Sequence, residues 1–148
     1  MRIPKENGPP MKLLGLDLGV QWTGIAISDS LGMFARPYQT IASSELDVEL
    51  EALFKKENIT SVVVGIPTTM KGGVSEQTQK VLDRKKLLEA RFPNYTWAGW
   101  DERLSSKQAE KLRHAKTREE KLQSHALAAA FILQSYLDYQ STLRQSAL

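Results

Sequence analysis

The chain has 148 residues, 20 Lys and Arg against 17 Asp and Glu for a formal net charge of +3, and 41% hydrophobic residues. That suffices for one domain with its own core and is an ordinary globular composition, whose mild positive charge favours a polyanionic partner. The absence of cysteine excludes a disulfide framework and thiolate chemistry and fits a cytoplasmic location, and no stretch approaches the roughly 18 apolar residues of a membrane span.

Residues 1–11 begin with MRIPKENGPP, which lacks the apolar segment of a secretory signal and reads as a polar tail. Residues 12–140 read as one domain and 141–148 as a second tail. Within the domain, Lys12 to Leu18 is a strand, Gly19 to Gln21 a turn, Thr23 to Ser28 a second strand and Phe34 to Ile41 a third. Ser43 is placed to cap a helix from about Glu45 to Lys56, with Leu46, Leu50, Leu53 and Phe54 on one side. The valine-rich run SVVVGI, Ser61 to Ile66, has the composition of a strand covered on both faces, and Pro67 ends it. Thr68 to Gly73 is a loop made flexible by Gly72 and Gly73, and Val74 to Arg91 is a long polar helix. Tyr95 to Gly99 is a further strand. Ser105 with Gln108, and Thr117 with Glu120, have the spacing of capping boxes that open two more helices. Hairpin-style strands followed by alternating helices and strands imply an α/β fold with a mixed sheet, antiparallel at one side and parallel at the other.

Four places carry candidate chemistry. Asp17 sits near the end of the leucine-rich first strand, where a carboxylate is disfavoured. Alternation puts it on the face of Leu13 and Gly15, opposite Leu14, Leu16 and Leu18. It either marks the end of the strand or is held there for a positive ligand. On the next strand Gly24, Ala26 and Ser28 share a face, leaving room for a substrate backbone or a closely packed helix. In WDERLSS, Asp101, Glu102 and Arg103 stand between a strand end and a helix start, a common ligand position in α/β sheets, although acids there also suit the helix dipole. The last helix has an apolar stripe of Leu122, Ala126, Ala129, Leu133, Tyr136 and Leu137 with His125 at its flank. Its alanines let the helix lie close to the sheet, which would bring His125 toward whatever Asp17 holds, though a histidine at such a flank also serves simply as a packed edge. The loop after Pro67 offers Lys71 to a phosphate but matches no nucleotide-binding pattern, and no HExxH or His/Cys zinc spacing occurs. Arg103, Lys107, Lys111, Arg113, Lys116, Arg118 and Lys121 form either a solvated helical surface or a positive rim suited to a phosphodiester.

Taken together, DLGVQWTGIAISD, VVVGIP with its Gly-bearing loop, DERLSS and the ending AAAFILQSYLD resemble the YqgF/RuvX family over nearly the whole chain from Leu13 to Asp138. Its members are described as Holliday junction resolvases and as nucleases of precursor 16S ribosomal RNA. The resemblance implies a ribonuclease H-like fold, a five-stranded mixed sheet flanked by helices with acids gathered over it. It implies metal-assisted phosphodiester hydrolysis with Mg²⁺ or Mn²⁺ as cofactor. Asp17 would be a ligand and Asp101 or Glu102 the second carboxylate, so that Asp17, Asp101, Glu102 and His125 form the catalytic group and Asp17, Glu102 and His125 the metal set. The family's third acid falls at His125 here, a departure that removes one negative charge and favours Mn²⁺ over Mg²⁺. His125 would then hold the metal or move a proton. A second departure is Gln21-Trp22, where the family commonly has a basic residue; Trp22 offers either a stacking surface for a base or simple packing. Lys71, Arg103, Lys107 and Trp22 would face the nucleic acid, with Arg103 orienting the acids or contacting a phosphate.

The function expected is a nuclease trimming the 5′ end of precursor 16S rRNA, working as a monomer or homodimer, with RNA favoured over a DNA junction. The alternatives are a Holliday junction resolvase, which cuts symmetrically and should be dimeric, and a nucleic-acid-binding factor that has lost catalysis at His125. An actin-like phosphotransferase shares the DLG strand end but closes two domains around ATP, for which this chain is too short.

Overall fold

The computed structural model describes residues 11–104 and 117–146. Five strands, β1 (Lys12–Leu18), β2 (Trp22–Ser28), β3 (Ala35–Ala42), β4 (Ile59–Ile66) and β5 (Thr96–Asp101), form one sheet in the order β3-β2-β1-β4-β5. β1–β2 and β2–β3 pair antiparallel, and β1–β4 and β4–β5 pair parallel. This is the mixed sheet expected from the sequence. The helices are α1 (Leu46–Lys56), α2 (Glu76–Arg91) and α3 (Arg118–Ser146). None of the helices among the described residues is long and apolar enough to cross a membrane.

Several element ends differ from the sequence reading, each for a local reason. β4 begins at Ile59 rather than Ser61 because its pairing with β1 starts at Lys12 opposite Ile59. β5 continues to Asp101 because it stays paired with β4 through Ile66. Ser43 does not cap α1: it opens a short 3₁₀ turn, and its hydroxyl is taken up by the Gly19 carbonyl at 2.7 Å and by Thr23 Oγ1 at 2.8 Å. α2 begins two residues later than Val74, after Ser75, whose hydroxyl accepts the Thr78 N–H while Thr78 Oγ1 accepts the Ser75 N–H. α3 opens on the expected Thr117–Glu120 capping box, the Glu120 N–H reaching Thr117 Oγ1 at 3.0 Å. It then runs six residues into the segment read as a C-terminal tail, its last turns carrying side-chain bonds from Thr142 to the Asp138 carbonyl and from Ser146 to the Thr142 carbonyl. The Ser105–Gln108 box lies outside the described residues.

The sheet has two unlike faces. On one, Leu14, Leu16, Leu18, Ile25, Ile27, Val62 and Val64 pack against Leu46, Leu50 and Leu53 of α1 and Val81 and Leu88 of α2. On the other, Ala26 and Val63 pack against Ala129, Ala130, Ile132, Leu133 and Leu137 of α3. The strict alternation of β1 produces this division: its three even-numbered leucines serve one core, while Leu13, Gly15 and Asp17 face α3.

Candidate active site

Asp17 is the penultimate residue of β1 and lies on the α3 face. Across the antiparallel pair its partner is Gly24, and on the other side Gly65 stands one residue beyond Val64, the β4 partner of Leu16. These glycines are required by close approach. A Cβ on Gly24 would fall 1.9 Å from the His125 carbonyl oxygen. One on Gly65 would fall 2.4 Å from Ile132 Cδ1 and 2.9 Å from Glu102 Oε1. The sheet is therefore bare on both sides of Asp17; α3 occupies one gap and Glu102 leans into the other. His125 Nδ1 lies 3.7 Å from Asp17 Oδ2, both side chains being partly open to solvent. The room noted beside Asp17 in the sequence is filled by a packed helix, and that helix delivers His125.

Asp101 and Glu102, adjacent in sequence, have different surroundings. Asp101 ends β5, and its carboxylate accepts bonds from Arg103 Nε at 3.0 and 3.1 Å, Arg103 Nη2 at 2.5 Å, the Arg103 N–H at 2.9 Å and Thr68 Oγ1 at 3.1 Å. The Arg103 side chain, aided by its N–H and Thr68, lowers the Asp101 pKa to about 2 against the opposing effect of burial. Glu102 opens the 3₁₀ turn Glu102–Leu104 and is the acid that reaches over Gly65. Of the two carboxylates, Glu102 is the one that lies over Gly65, on the strand next to that of Asp17, while Asp101 is a hydrogen-bond hub.

The Arg103 guanidinium is bonded on two sides. Besides holding Asp101, its Nη1 donates to the Met70 carbonyl at 3.2 Å. The loop after Pro67 carries internal hydrogen bonds around its glycines. Gly72, at φ +81°, makes a turn whose N–H reaches the Thr69 carbonyl at 2.8 Å, and the Gly73 N–H reaches Thr69 Oγ1 at 2.7 Å. Lys71 is exposed on this loop. Thr68, absent from the sequence candidates, joins the loop to Asp101; its position directly after Pro67 at the strand end was the available signal. Trp22 is partly buried and shares the α3 face of β2 with Gly24. Lys107 lies outside the described residues, as do Lys111, Arg113 and Lys116.

Among the described residues no group of three His, Cys, Asp or Glu side chains is assembled closely enough to hold a metal ion. The donor chemistry around Asp17 does suit one: the carboxylates of Asp17 and Glu102 and the imidazole of His125 are oxygen and nitrogen ligands of the kind Mn²⁺ accepts.

Residues 11–139 match the model of the RuvX family, described as Holliday junction resolvase. The chain belongs to this family. Proteins bearing the name "Putative pre-16S rRNA nuclease" are similar along almost their whole length. That of Rubrobacter xylanophilus is 40% identical over 131 residues, 88% of this chain and 94% of that protein. That of Staphylococcus saprophyticus is 36% identical over 135 residues, 86% of this chain and 95% of that protein. Among solved structures, Thermus thermophilus RuvC in complex with a Holliday junction substrate superposes with a TM-score of 0.55 at 15% identity, covering 89% of this chain and 96% of that one. The yeast mitochondrial Holliday junction resolvase Ydc2 gives 0.57 at 12% identity, covering 93% and 82%. At such identities the likeness establishes the fold, which is ribonuclease H-like, as the sequence resemblance implied.

Proposed function

We propose that the chain is a phosphodiester hydrolase that trims the 5′ end of precursor 16S rRNA, with a divalent cation, Mg²⁺ or Mn²⁺, bound by Asp17, Glu102 and His125. The observation that carries this reading is the convergence on Asp17: His125 Nδ1 at 3.7 Å from its carboxylate, and Glu102 over the adjoining Gly65. The names of the relatives at 36–40% identity support RNA as the substrate. A bound cation supplies an activated water and stabilises charge on the leaving oxygen. The protein groups do the rest. His125, with Nδ1 3.7 Å from the Asp17 carboxylate, stands beside Asp17 and would share with it the holding of that cation. Asp101 and Arg103 keep Glu102 and the 68–73 loop in fixed relation. Lys71 on that loop meets a phosphate, and Trp22 offers a ring to an unpaired base.

The test is cleavage of a 5′-extended 16S rRNA fragment beside a four-way DNA junction, with wild type and Asp17→Asn, in Mg²⁺, Mn²⁺ and chelator. Wild type should cut the RNA only with metal, and Asp17→Asn should be slower by about 10²-fold or more. Unchanged activity in Asp17→Asn overturns the site. Symmetric cutting of the junction with the RNA untouched transfers the same site to the resolvase reading.

A further inference from the structure

The alanine stripe lets α3 lie close to the sheet at the turn that carries His125. Ala126, Ala129 and Ala130 present a shallow surface at this end of the helix, and the larger Ile132, Leu133 and Leu137 interlock with the sheet further along it. A slip of one residue would carry His125 about 1.5 Å past Asp17. Directional bonds add to the packing in fixing the helix: Gln134 accepts the Ala35 N–H and donates to the Met33 carbonyl, and two hydroxyl groups outside the reacting cluster bond the helix at the His125 turn and at the Glu102 turn.

We propose that Thr40 and Ser135 are positioning residues that set the places of His125 and Glu102; this rests on the hydrolase reading above. Thr40 lies on the edge strand β3, and its hydroxyl accepts the Ala126 N–H at 3.1 Å and donates to the Leu122 carbonyl. Those are the two backbone groups that close the helical turn containing His125. The turn is thus held by β3 at one side while the His125 carbonyl is pressed against Gly24 beneath it. Ser135 lies ten residues further along the same helix, about 15 Å away along its axis. Its hydroxyl accepts from Trp100 Nε1 at 3.0 Å and donates to the Leu104 carbonyl at 3.0 Å. Leu104 closes the 3₁₀ turn that Glu102 opens. Trp100 is itself held edge-on against Tyr136, with ring centres 5.5 Å apart. One helix therefore carries, at its two clamps, the spacing between the imidazole and the second carboxylate.

Thr40→Val keeps the side-chain volume and removes the hydroxyl; Thr40→Ser restores it. Two readouts are taken. The first is NMR of the metal-free protein: amide exchange at Ala126 and the ring ¹⁵N shifts of His125, assigned against His114→Gln. The second is kcat and KM separately on the RNA fragment. Thr40→Val should speed Ala126 exchange, shift the His125 ring and lower kcat about tenfold with KM nearly unchanged. Thr40→Ser should return all three toward wild type. Ser135→Ala should lower kcat similarly while leaving Ala126 exchange and the His125 ring as they are. The proposal is overturned if Thr40→Val leaves the His125 ring unmoved, or if kcat is unaltered while Ala126 exchange rises. If wild type cuts no RNA, the hydrolase reading fails, and a His125 shift in Thr40→Val that Thr40→Ser reverses still supports the clamp.

Discussion

The two faces of the sheet solve different problems with the same strands. Under α1 and α2, β1 contributes Leu14, Leu16 and Leu18, large side chains with little or no exposure. Under α3 the corresponding positions are Leu13, Gly15 and Asp17, flanked by Gly24, Ala26 and Gly65. The first face gains stability by burying volume. The second gives up volume so that a helix backbone comes within reach of a carboxylate, and it adds hydroxyl, amide and indole hydrogen bonds to the packing of Ile132, Leu133 and Leu137. A one-residue period separates them, so neighbouring residues of a single strand carry unrelated duties. The site sits where the sheet is most sparsely furnished, because an apolar side chain beside Asp17 would exclude both His125 and Glu102.

That contrast is breakable by substitutions on each face. Leu16→Ala, on the leucine face, should cost about 2–5 kcal/mol in urea unfolding, since it empties a site with no exposure. Cleavage per folded molecule should stay close to wild type; a large drop would mean that the two faces are not independent. Gly24→Ala, on the α3 face, should cost less, about 1–3 kcal/mol, as the helix gives way to the new methyl group. Its effect on rate should be the greater. The His125 carbonyl, 1.9 Å from the added Cβ, must withdraw by roughly 1 Å, and a displacement of that size at a reacting group costs about 10²-fold. If Gly24→Ala were only destabilised, with full turnover at low temperature, His125 would not be part of the chemistry.

Much of this was legible in the sequence because it is written in short periods. The alternation of LLGLDL assigned Asp17 to the small-residue face, and the helical spacing of the alanines brought His125 over it. What escaped was what depends on the terminus of an element or on a partner far along the chain. Asp101 and Glu102 differ by one position, and only the length of β5 decides which of them remains in the sheet beside Arg103 and which turns over Gly65. Ser43 has the identity of a cap, yet its hydroxyl serves the β1–β2 turn 24 residues earlier. Thr40 looks like an ordinary solvent-facing threonine on an edge strand until α3, more than 80 residues later, is laid across it. In the loop after Pro67, Gly72 makes a turn, and the Met70 carbonyl beside it accepts from Arg103, a partner 33 residues away that the loop's own composition does not reveal.

The smallest effect concerns Arg103 and Asp101. The Asp101 carboxyl, held near 2 chiefly by the Arg103 guanidinium, is ionised more readily in the folded chain than in the unfolded one. Its contribution to stability is therefore complete above the ordinary carboxylate range, about pH 4, and is lost as pH falls toward 2. Asp101→Asn removes the charge while keeping one acceptor oxygen. The variant should be less stable than wild type at neutral pH, by less than either substitution above, because the pair is partly open to solvent and screened. The gap should close progressively below pH 4 as the wild-type carboxyl takes up its proton. Urea unfolding at a series of pH values gives the two curves directly. Convergence at low pH identifies the Asp101–Arg103 pair as its source, and a gap that stays constant through the acid range would mean that the loss does not come from the Asp101 charge. The same variant sharpens the comparison of faces, since Asp101 touches neither core: it should leave Ala126 amide exchange unchanged while loosening both the loop that carries Lys71 and the turn that carries Glu102, and so raise KM for the RNA and lower kcat together.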